Sequence, residues 1–139
     1  MRELKFRAWD RWLNKMVYQH DMNVPLENKE YLFSLNEEGV ELMQYDEDYS
    51  AYITRDANIM QYTGIKDCNG KEIYEDDIVK VKERIAGEDF IGKVIYDKTE
   101  GCYWIMQGDK NNCFKTTFNF ETYEHYVIGN IYENPELLD

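Results

Sequence analysis

Cysteine is scarce in this sequence, and its placement excludes a disulfide framework. The chain of 139 residues has three cysteines, Cys68, Cys102 and Cys113, which lie far apart and are odd in number. A disulfide framework needs paired cysteines, and free thiols are typical of a reducing compartment. We therefore expect three free thiols and a cytoplasmic protein.

Long apolar segments are also missing. No run approaches the roughly 20 apolar residues that a transmembrane helix needs. The first residues lead directly into an alternating pattern, and not into the apolar segment of a signal peptide. We expect neither a membrane association nor a secretion signal.

The sequence has few of the motifs that carry catalytic chemistry. It has no Gly-x-Ser-x-Gly motif and no Gly-rich phosphate loop, and its only serines are Ser34 and Ser50. The cysteines and the histidines, His20 and His125, lack the close spacing of zinc ligands. We predict a non-enzymatic protein with no catalytic residue, no cofactor and no metal site.

A metal-dependent hydrolase is kept as an alternative because carboxylates are abundant. Acidic residues are consecutive at 46–48 and at 75–77, and residues 27–29 match a short Glu-x-Lys nuclease pattern. Neighbouring residues of a strand point to opposite faces, so such runs do not bring oxygens to one point. We expect residues 75–77 to close a turn instead.

Aromatic residues are what the chain has in quantity. They make up 15% of the sequence, and hydrophobic residues make up 43%, which is enough to form a core. Aromatic side chains favour half-buried, pleated surfaces, whereas helix signals are sparse. The composition therefore favours β-structure.

The net charge of −12 is unevenly distributed. Residues 1–20 carry five basic and two acidic side chains, whereas residues 21–62 carry ten acidic and two basic ones. Such an acidic chain is repelled by phosphate backbones, so sequence-independent nucleic-acid binding is disfavoured. The acidic surface serves solubility, or it meets a basic partner surface or mimics DNA.

Alternation and turn residues predict hairpins in the first half of the chain. Leu4, Phe6 and Ala8 alternate with polar or larger residues, and a turn at Asn14 leads into a return strand. A second hairpin is centred on Gly39, with a helical turn over residues 37–44 as the alternative. We expect a loop over residues 19–30, and a mobile, exposed segment or junction over residues 46–56.

The second half has the strongest local signal, Asn69-Gly70, which predicts a two-residue type I′ hairpin turn. Further strands are predicted over residues 72–74, 78–81, 92–96, 102–106, 114–118 and 126–132. Asn134 is expected to cap a short helical turn over residues 135–138.

Three tracts resemble the YopX family of phage and prophage proteins. They are Phe6-Arg7-Ala8-Trp9-Asp10 with Met16-Val17-Tyr18, then residues 61–79 around Asn69-Gly70-Lys71-Glu72-Ile73-Tyr74-Glu75, and then Val127-Ile128-Gly129-Asn130-Ile131-Tyr132-Glu133-Asn134-Pro135. One departure is Asp76, because the family usually has Gly there, and a positive φ at this site would strain the turn. The resemblance implies a phage-encoded all-β protein with an SH3-like small barrel, located in the bacterial host cell, and no assigned activity.

Together these patterns predict an all-β protein with two regions. Residues 1–58 form an N-terminal β-hairpin region and residues 59–139 form an SH3-like small barrel. We expect an accessory protein that binds a host or phage protein, and homo-oligomerisation remains open. The alternative is a nucleic-acid-associated module that uses the basic patch between Arg2 and Lys15. The candidate interaction residues are Trp9, Trp12, Tyr103 and Trp104, because exposed aromatic residues often anchor interfaces.

Overall fold

Strands dominate the structure. The computed structural model describes residues 3–19, 31–85, 87–108 and 111–139. This part of the chain holds twelve β-strands and a C-terminal 3-10 helix, so the prediction of an all-β fold is confirmed. Within it, no helix is long and apolar enough to cross a membrane. The loop predicted over residues 19–30 lies, apart from Gln19, outside the described residues.

The chain divides into two compact units, Leu4–Gln61, and Tyr62–Asp139 together with Glu3. The strands that begin in the first unit are β1 (Phe6–Asp10), β2 (Lys15–Tyr18), β3 (Tyr31–Asn36), β4 (Gly39–Asp46), β5 (Ala51–Thr54) and β6 (Ala57–Lys66). Those of the second unit are β7 (Glu72–Tyr74), β8 (Asp77–Glu83), β9 (Phe90–Asp97), β10 (Cys102–Gly108), β11 (Cys113–Thr116) and β12 (Tyr123–Asn130). Strand β6 crosses the boundary, since its first part pairs with β1 and its second part pairs with β7.

In the N-terminal unit both predicted hairpins are present. Strand β1 lies between β2 and β6, with Ala8 opposite both Val17 and Ile59, and β3 pairs with β4 around Gly39. Ala8, Val17 and Leu42 form the buried core of this unit. The helical alternative for residues 37–44 is wrong, because most of them lie in β4.

Residues 46–56 contain a strand that the sequence analysis does not predict. Strand β5 pairs with β4 and places the Tyr52 ring 5.3 Å from the Tyr45 ring. Most residues of β5 are exposed, so they show no apolar alternation to reveal a strand. The strand forms because β4 offers it a free edge for backbone pairing.

In the C-terminal unit five antiparallel strands are arranged in the order β11-β10-β9-β8-β12. Strands β8 to β11 form a meander, and β12 returns to pair with the first of them. The sheet curls into a half-barrel, which confirms the prediction of a small-barrel fold.

Side chains of the five-stranded sheet alternate between two faces, as the period of a strand requires. The inner face carries the fully buried residues Val79, Val81, Val94 and Ile105. We call the opposite side the outer face. Its side chains are Ile78, Lys80, Lys82, Ile91, Lys93, Ile95, Trp104, Met106, Lys115, Glu124 and Tyr126, and Ile78 among them is fully buried.

Gly92 allows two strands of the half-barrel to approach closely. It lies opposite Val79, and a Cβ atom there would be 2.7 Å from Ile105 Cγ2 and 2.8 Å from the carbonyl oxygen of Met106. Since one of these neighbours is backbone, it cannot move aside. A side chain at this position is therefore incompatible with the present sheet.

The turn between β6 and β7 is a hairpin turn, but the predicted type is wrong. Gly70 has a φ of 81°, whereas Asn69 does not have a positive φ. The Gly70 N–H donates to the Asp67 carbonyl oxygen, and the Asp67 N–H donates to the Lys71 carbonyl oxygen. This is a three-residue loop with a type I turn followed by glycine. The Asp67 carboxylate stabilises it by accepting the N–H groups of Asn69 and Lys71.

Asp76 adopts a left-handed conformation, with a φ of 66°, in the predicted turn between β7 and β8. This conformation costs an L-residue other than glycine about 1–2 kcal/mol. Three hydrogen bonds hold it in place: its N–H donates to Val94, its carbonyl accepts from Ile131, and its carboxylate accepts the Tyr132 hydroxyl at 2.8 Å.

The C-terminal 3-10 helix spans Pro135–Leu138, where the sequence predicts a helical turn. Asn134 occupies the N-cap position, as predicted, but its side chain makes no capping hydrogen bond. Its Oδ1 instead accepts the Asn130 N–H at 3.3 Å. Asn134 therefore fixes the end of β12.

We predict that Asp76→Ala is less stable than Asp76→Gly by about 1 kcal/mol. Both variants lose the hydrogen bond from Tyr132, so their difference reports only the cost of the positive φ. Urea unfolding of the two variants measures it. Equal stabilities would show that the turn relaxes to a negative φ without loss.

Candidate functional site

The four aromatic residues predicted to bind a partner differ sharply in exposure. Trp9 is half-buried on β1, whereas Trp12 is 81% exposed in the turn between β1 and β2. Tyr103 and Trp104 are half-buried and lie on opposite faces of β10. Among these four, Trp12 is the side chain that offers a whole aromatic surface to a partner.

Trp12 lies on a fixed turn, residues 11–14, which we call the β1–β2 tip. The Asp10 carboxylate accepts the N–H groups of Trp12 at 3.0 Å and of Leu13 at 3.2 Å. Asn14 completes the turn with a positive φ of 50°, a conformation that Asn tolerates. Leu13 is 48% exposed, so the tip presents two adjacent apolar side chains.

Asp10 itself is fully buried and held from the other side by Arg55. The Arg55 Nε and Nη2 atoms donate to the two carboxylate oxygens at 3.2 and 3.3 Å. Burial alone would raise the pKa of Asp10, but the Arg55 guanidinium and the N–H groups of Leu13 and Trp12 outweigh it, so this pKa lies below its ordinary value. The charged carboxylate therefore orders the tip.

The described part of the basic patch predicted between Arg2 and Lys15 is only partly open, since Arg7 is buried whereas Arg11 and Lys15 are exposed. Arg7 is only 3% exposed, and its Nε lies 3.4 Å from Met60 Sδ. The Arg11 Nη2 lies 2.8 Å from the Asp56 carboxylate, and the Lys15 Nζ lies 5.4 Å from the centre of the Tyr31 ring. Arg2 lies outside the described residues.

Tyr103 and Trp104 follow the alternation of β10. Tyr103 packs against the inner core, and its ring lies 5.2 Å from the Tyr96 ring. Trp104 belongs to the outer face, opposite Ile95. Its Nε1 is buried and has no hydrogen-bond partner in the described part of the chain. Tyr103 therefore belongs to the core, and Trp104 forms part of the floor of the outer face.

His125 occupies an aromatic cage that the sequence analysis does not find. Its ring lies 5.3 Å from Phe118, 4.6 Å from Phe120 and 6.3 Å from Tyr123. The residue is fully buried, and neither ring nitrogen has a hydrogen-bond partner among the described residues. Burial lowers the pKa of His125 below its ordinary value, and the nearby Arg84 guanidinium lowers it further. The alternation of Tyr123, His125 and Val127 was the signal that could have predicted its burial.

Metal ligands do not converge in the described residues, where no three His, Cys, Asp or Glu side chains form a group that could hold an ion. All three cysteines are free. His20 and residues 27–29 lie outside the described residues. The hydrolase alternative gains no support from this geometry.

Comparison with known proteins identifies the family. A family model described as YopX protein matches residues 5–139. The chain belongs to the YopX family.

Two crystal structures are similar over the full length of both chains. Protein yopX from Bacillus subtilis has a TM-score of 0.64 at 22% identity, and protein EF1440 from Enterococcus faecalis has a TM-score of 0.55 at 25% identity. No curated protein matches the chain. These likenesses support the fold of this YopX-family chain and leave its task to be inferred from its surface.

We predict that Asp10→Asn destabilises the N-terminal unit by about 2–4 kcal/mol, because it leaves the Arg55 guanidinium, whose side chain is only 18% exposed, without its anion. In the Asp10→Asn variant, hydrogen exchange at the amides of Trp12 and Leu13 should accelerate, relative to wild type, by more than exchange at the amides of β4. The matched control is Asp56→Asn, which breaks the exposed pair with Arg11 and should cost less than about 1 kcal/mol. Unchanged exchange at the tip would contradict the role given to Asp10.

We predict that the buried imidazole makes stability fall in weak acid. Because the pKa of His125 is lower in the folded state, the unfolded state binds more protons as the pH falls below about 6.5. The contribution of the neutral His125 ring to the stability of the folded state is thus complete above that pH and is lost as the pH falls below it.

The control variant is His125→Phe, which keeps an aromatic ring in the cage and cannot be protonated. Denaturant unfolding across this pH range should show the stability of the wild type falling relative to that of the variant. Parallel curves would show that His125 keeps its ordinary pKa in the folded protein.

Proposed function

We propose that this YopX-family chain is a phage- or prophage-encoded accessory protein that acts in the bacterial cytoplasm by binding a partner protein, without catalysis. The observation that carries the proposal is the 81% exposure of Trp12 on a tip fixed by a buried carboxylate. A tryptophan in water exposes a large apolar area, and burying that area is favourable.

The rigidity of the tip matters as much as its exposure. Binding through a mobile loop loses conformational freedom, and a turn that is already ordered avoids that cost. Trp12 and Leu13 are ordered by Asp10, which in turn is held by Arg55. Tryptophan is enriched among residues that dominate interface energies, so Trp12 is the proposed anchor.

The chemistry of the tip defines the partner. Trp12 and Leu13 fit an apolar pocket, and Lys15 at the start of β2 is exposed beside them. The partner therefore has an apolar pocket with an acidic or neutral rim. It is a host or phage protein, with a second copy of this chain as the alternative outcome.

The nucleic-acid alternative that uses the patch between Arg2 and Lys15 is less well supported. Arg7 is buried and therefore not available for phosphates, whereas Arg11 forms only an exposed pair with Asp56. The net charge of −12 also opposes approach to a polyanion.

Affinity capture tests the proposal with the full chain as bait. Wild type, Trp12→Ala and the control Tyr49→Ala are compared, because Tyr49 is also a highly exposed aromatic residue (76%) in a β-turn of the N-terminal unit. We expect one protein to be retained by wild type and by Tyr49→Ala, and its affinity for Trp12→Ala to be at least about tenfold weaker. Equal retention by all three baits would refute the anchor role. Sedimentation of the purified chain identifies self-association through the same tip.

A further inference from the structure

We propose that the outer face of the five-stranded sheet is a second binding surface, which takes single-stranded nucleic acid. Lysines on this face contact phosphates, and flat and apolar side chains between them contact bases. This surface lies in the C-terminal unit and uses none of the residues of the β1–β2 tip.

The lysines are spread across the sheet, although the chain as a whole is acidic. Lys80 and Lys82 lie on β8, Lys93 on β9 and Lys115 on β11. Alternation puts all four on the side opposite the inner core, where Lys93 is half-buried and lies directly opposite the fully buried Ile78. Neighbouring strands are about 4.8 Å apart, so the lysines span about 14 Å, which is enough for several phosphates of an extended strand.

The ion pairs on this face are few and weak. Lys93 has no ion pair among the described residues, and the Lys82 Nζ lies over the Tyr126 ring at 5.9 Å. Lys80 reaches Asp89 only at 3.9 Å, and Lys115 reaches Asp97 at 3.3 Å, with both lysines about 40% exposed. An exposed pair such as Lys80–Asp89 contributes little, so a phosphate can replace the carboxylate.

Tyr126 gives the face an ordered aromatic ring. The Tyr126 hydroxyl donates to the Glu124 carboxylate at 2.7 Å. Tyr126 lies on β12, directly opposite Lys80 on the neighbouring strand β8. Stacking of a base on an aromatic ring is tolerant of sequence and requires an unpaired base, which is why the proposed ligand is single-stranded.

Apolar side chains continue the surface away from Tyr126. Ile91 on β9 lies directly opposite Lys80 on β8. Met106 on β10 lies between Lys93 on β9 and Lys115 on β11. An acidic polypeptide could use the lysines but would leave this aromatic and apolar surface unmatched. The alternation of lysines with aromatic and apolar side chains therefore favours nucleic acid over an acidic protein segment.

The net charge of −12 weakens such binding without excluding it. At physiological ionic strength charges more than about 8 Å apart are largely screened, so the local cations decide the contact. The affinity is consequently modest and falls steeply with salt.

Fluorescence anisotropy of a labelled oligothymidine of about 16 nucleotides tests the proposal with the full chain. Lys80→Glu with Lys93→Glu is compared with Lys66→Glu and Lys71→Glu, a control of equal charge change on exposed lysines of the β6–β7 hairpin. We expect binding at about 50 mM salt, an affinity at least about tenfold lower for the first pair, and a smaller effect in the control. Thermal unfolding confirms that both double variants are folded.

A third variant, Tyr126→Ala, separates stacking from charge. We expect it to weaken binding about fivefold or more, with the salt dependence unchanged. The proposal is overturned by the absence of binding at low salt, by an equal loss in the control pair, by full affinity of Tyr126→Ala, or by polyglutamate competing as well as the oligonucleotide. The last result would assign the face to an acidic protein partner.

Discussion

The buried carboxylate of Asp67 holds the C-terminal unit together. One of its oxygens accepts the N–H groups of Asn69 and Lys71, and the other accepts the N–H of Val127 in β12. The next residue adds a backbone hydrogen bond to the carbonyl oxygen of His125. These bonds cover the edge of β12, which would otherwise expose unpaired backbone groups. The five-stranded order, the buried inner face and the histidine cage all require β12 to stay in this place.

Local patterns were sufficient to predict most of the fold. Alternation around Ala8, and glycines at turns such as Gly39 and Gly70, are properties of a few neighbouring residues, and they identified the hairpins correctly. Strand β5 was missed because its side chains are exposed and therefore carry no pattern. The type of the turn at Gly70 was missed because the Asp67 carboxylate, two residues before Asn69, favours a wider loop than the dipeptide alone would form.

The candidate sites depend on contacts that the sequence does not reveal. Residue type alone singled out Trp12, but its rigidity comes from Arg55, which is 45 residues away from Asp10 in the chain. Sequence reasoning also counted Arg7 as a surface cation, whereas its place on β1 buries it. The lysines of the outer face are scattered over 36 sequence positions, from Lys80 to Lys115, and only the strand order brings them to one surface. Contacts between residues distant in sequence determine such sites, and composition or motif spacing does not predict those contacts.

The inner face of the half-barrel carries the buried core, and the outer face carries the lysines. Their shapes are nevertheless linked through Gly92, where a Cβ atom would meet Ile105 and the backbone of Met106. The absence of a side chain there permits the close approach of β9 and β10. A larger residue would force β9 and β10 apart, and Lys93 on β9 would then lie farther from Lys115 on β11. The spacing of charges on the surface is in this way encoded by a residue that never reaches the surface.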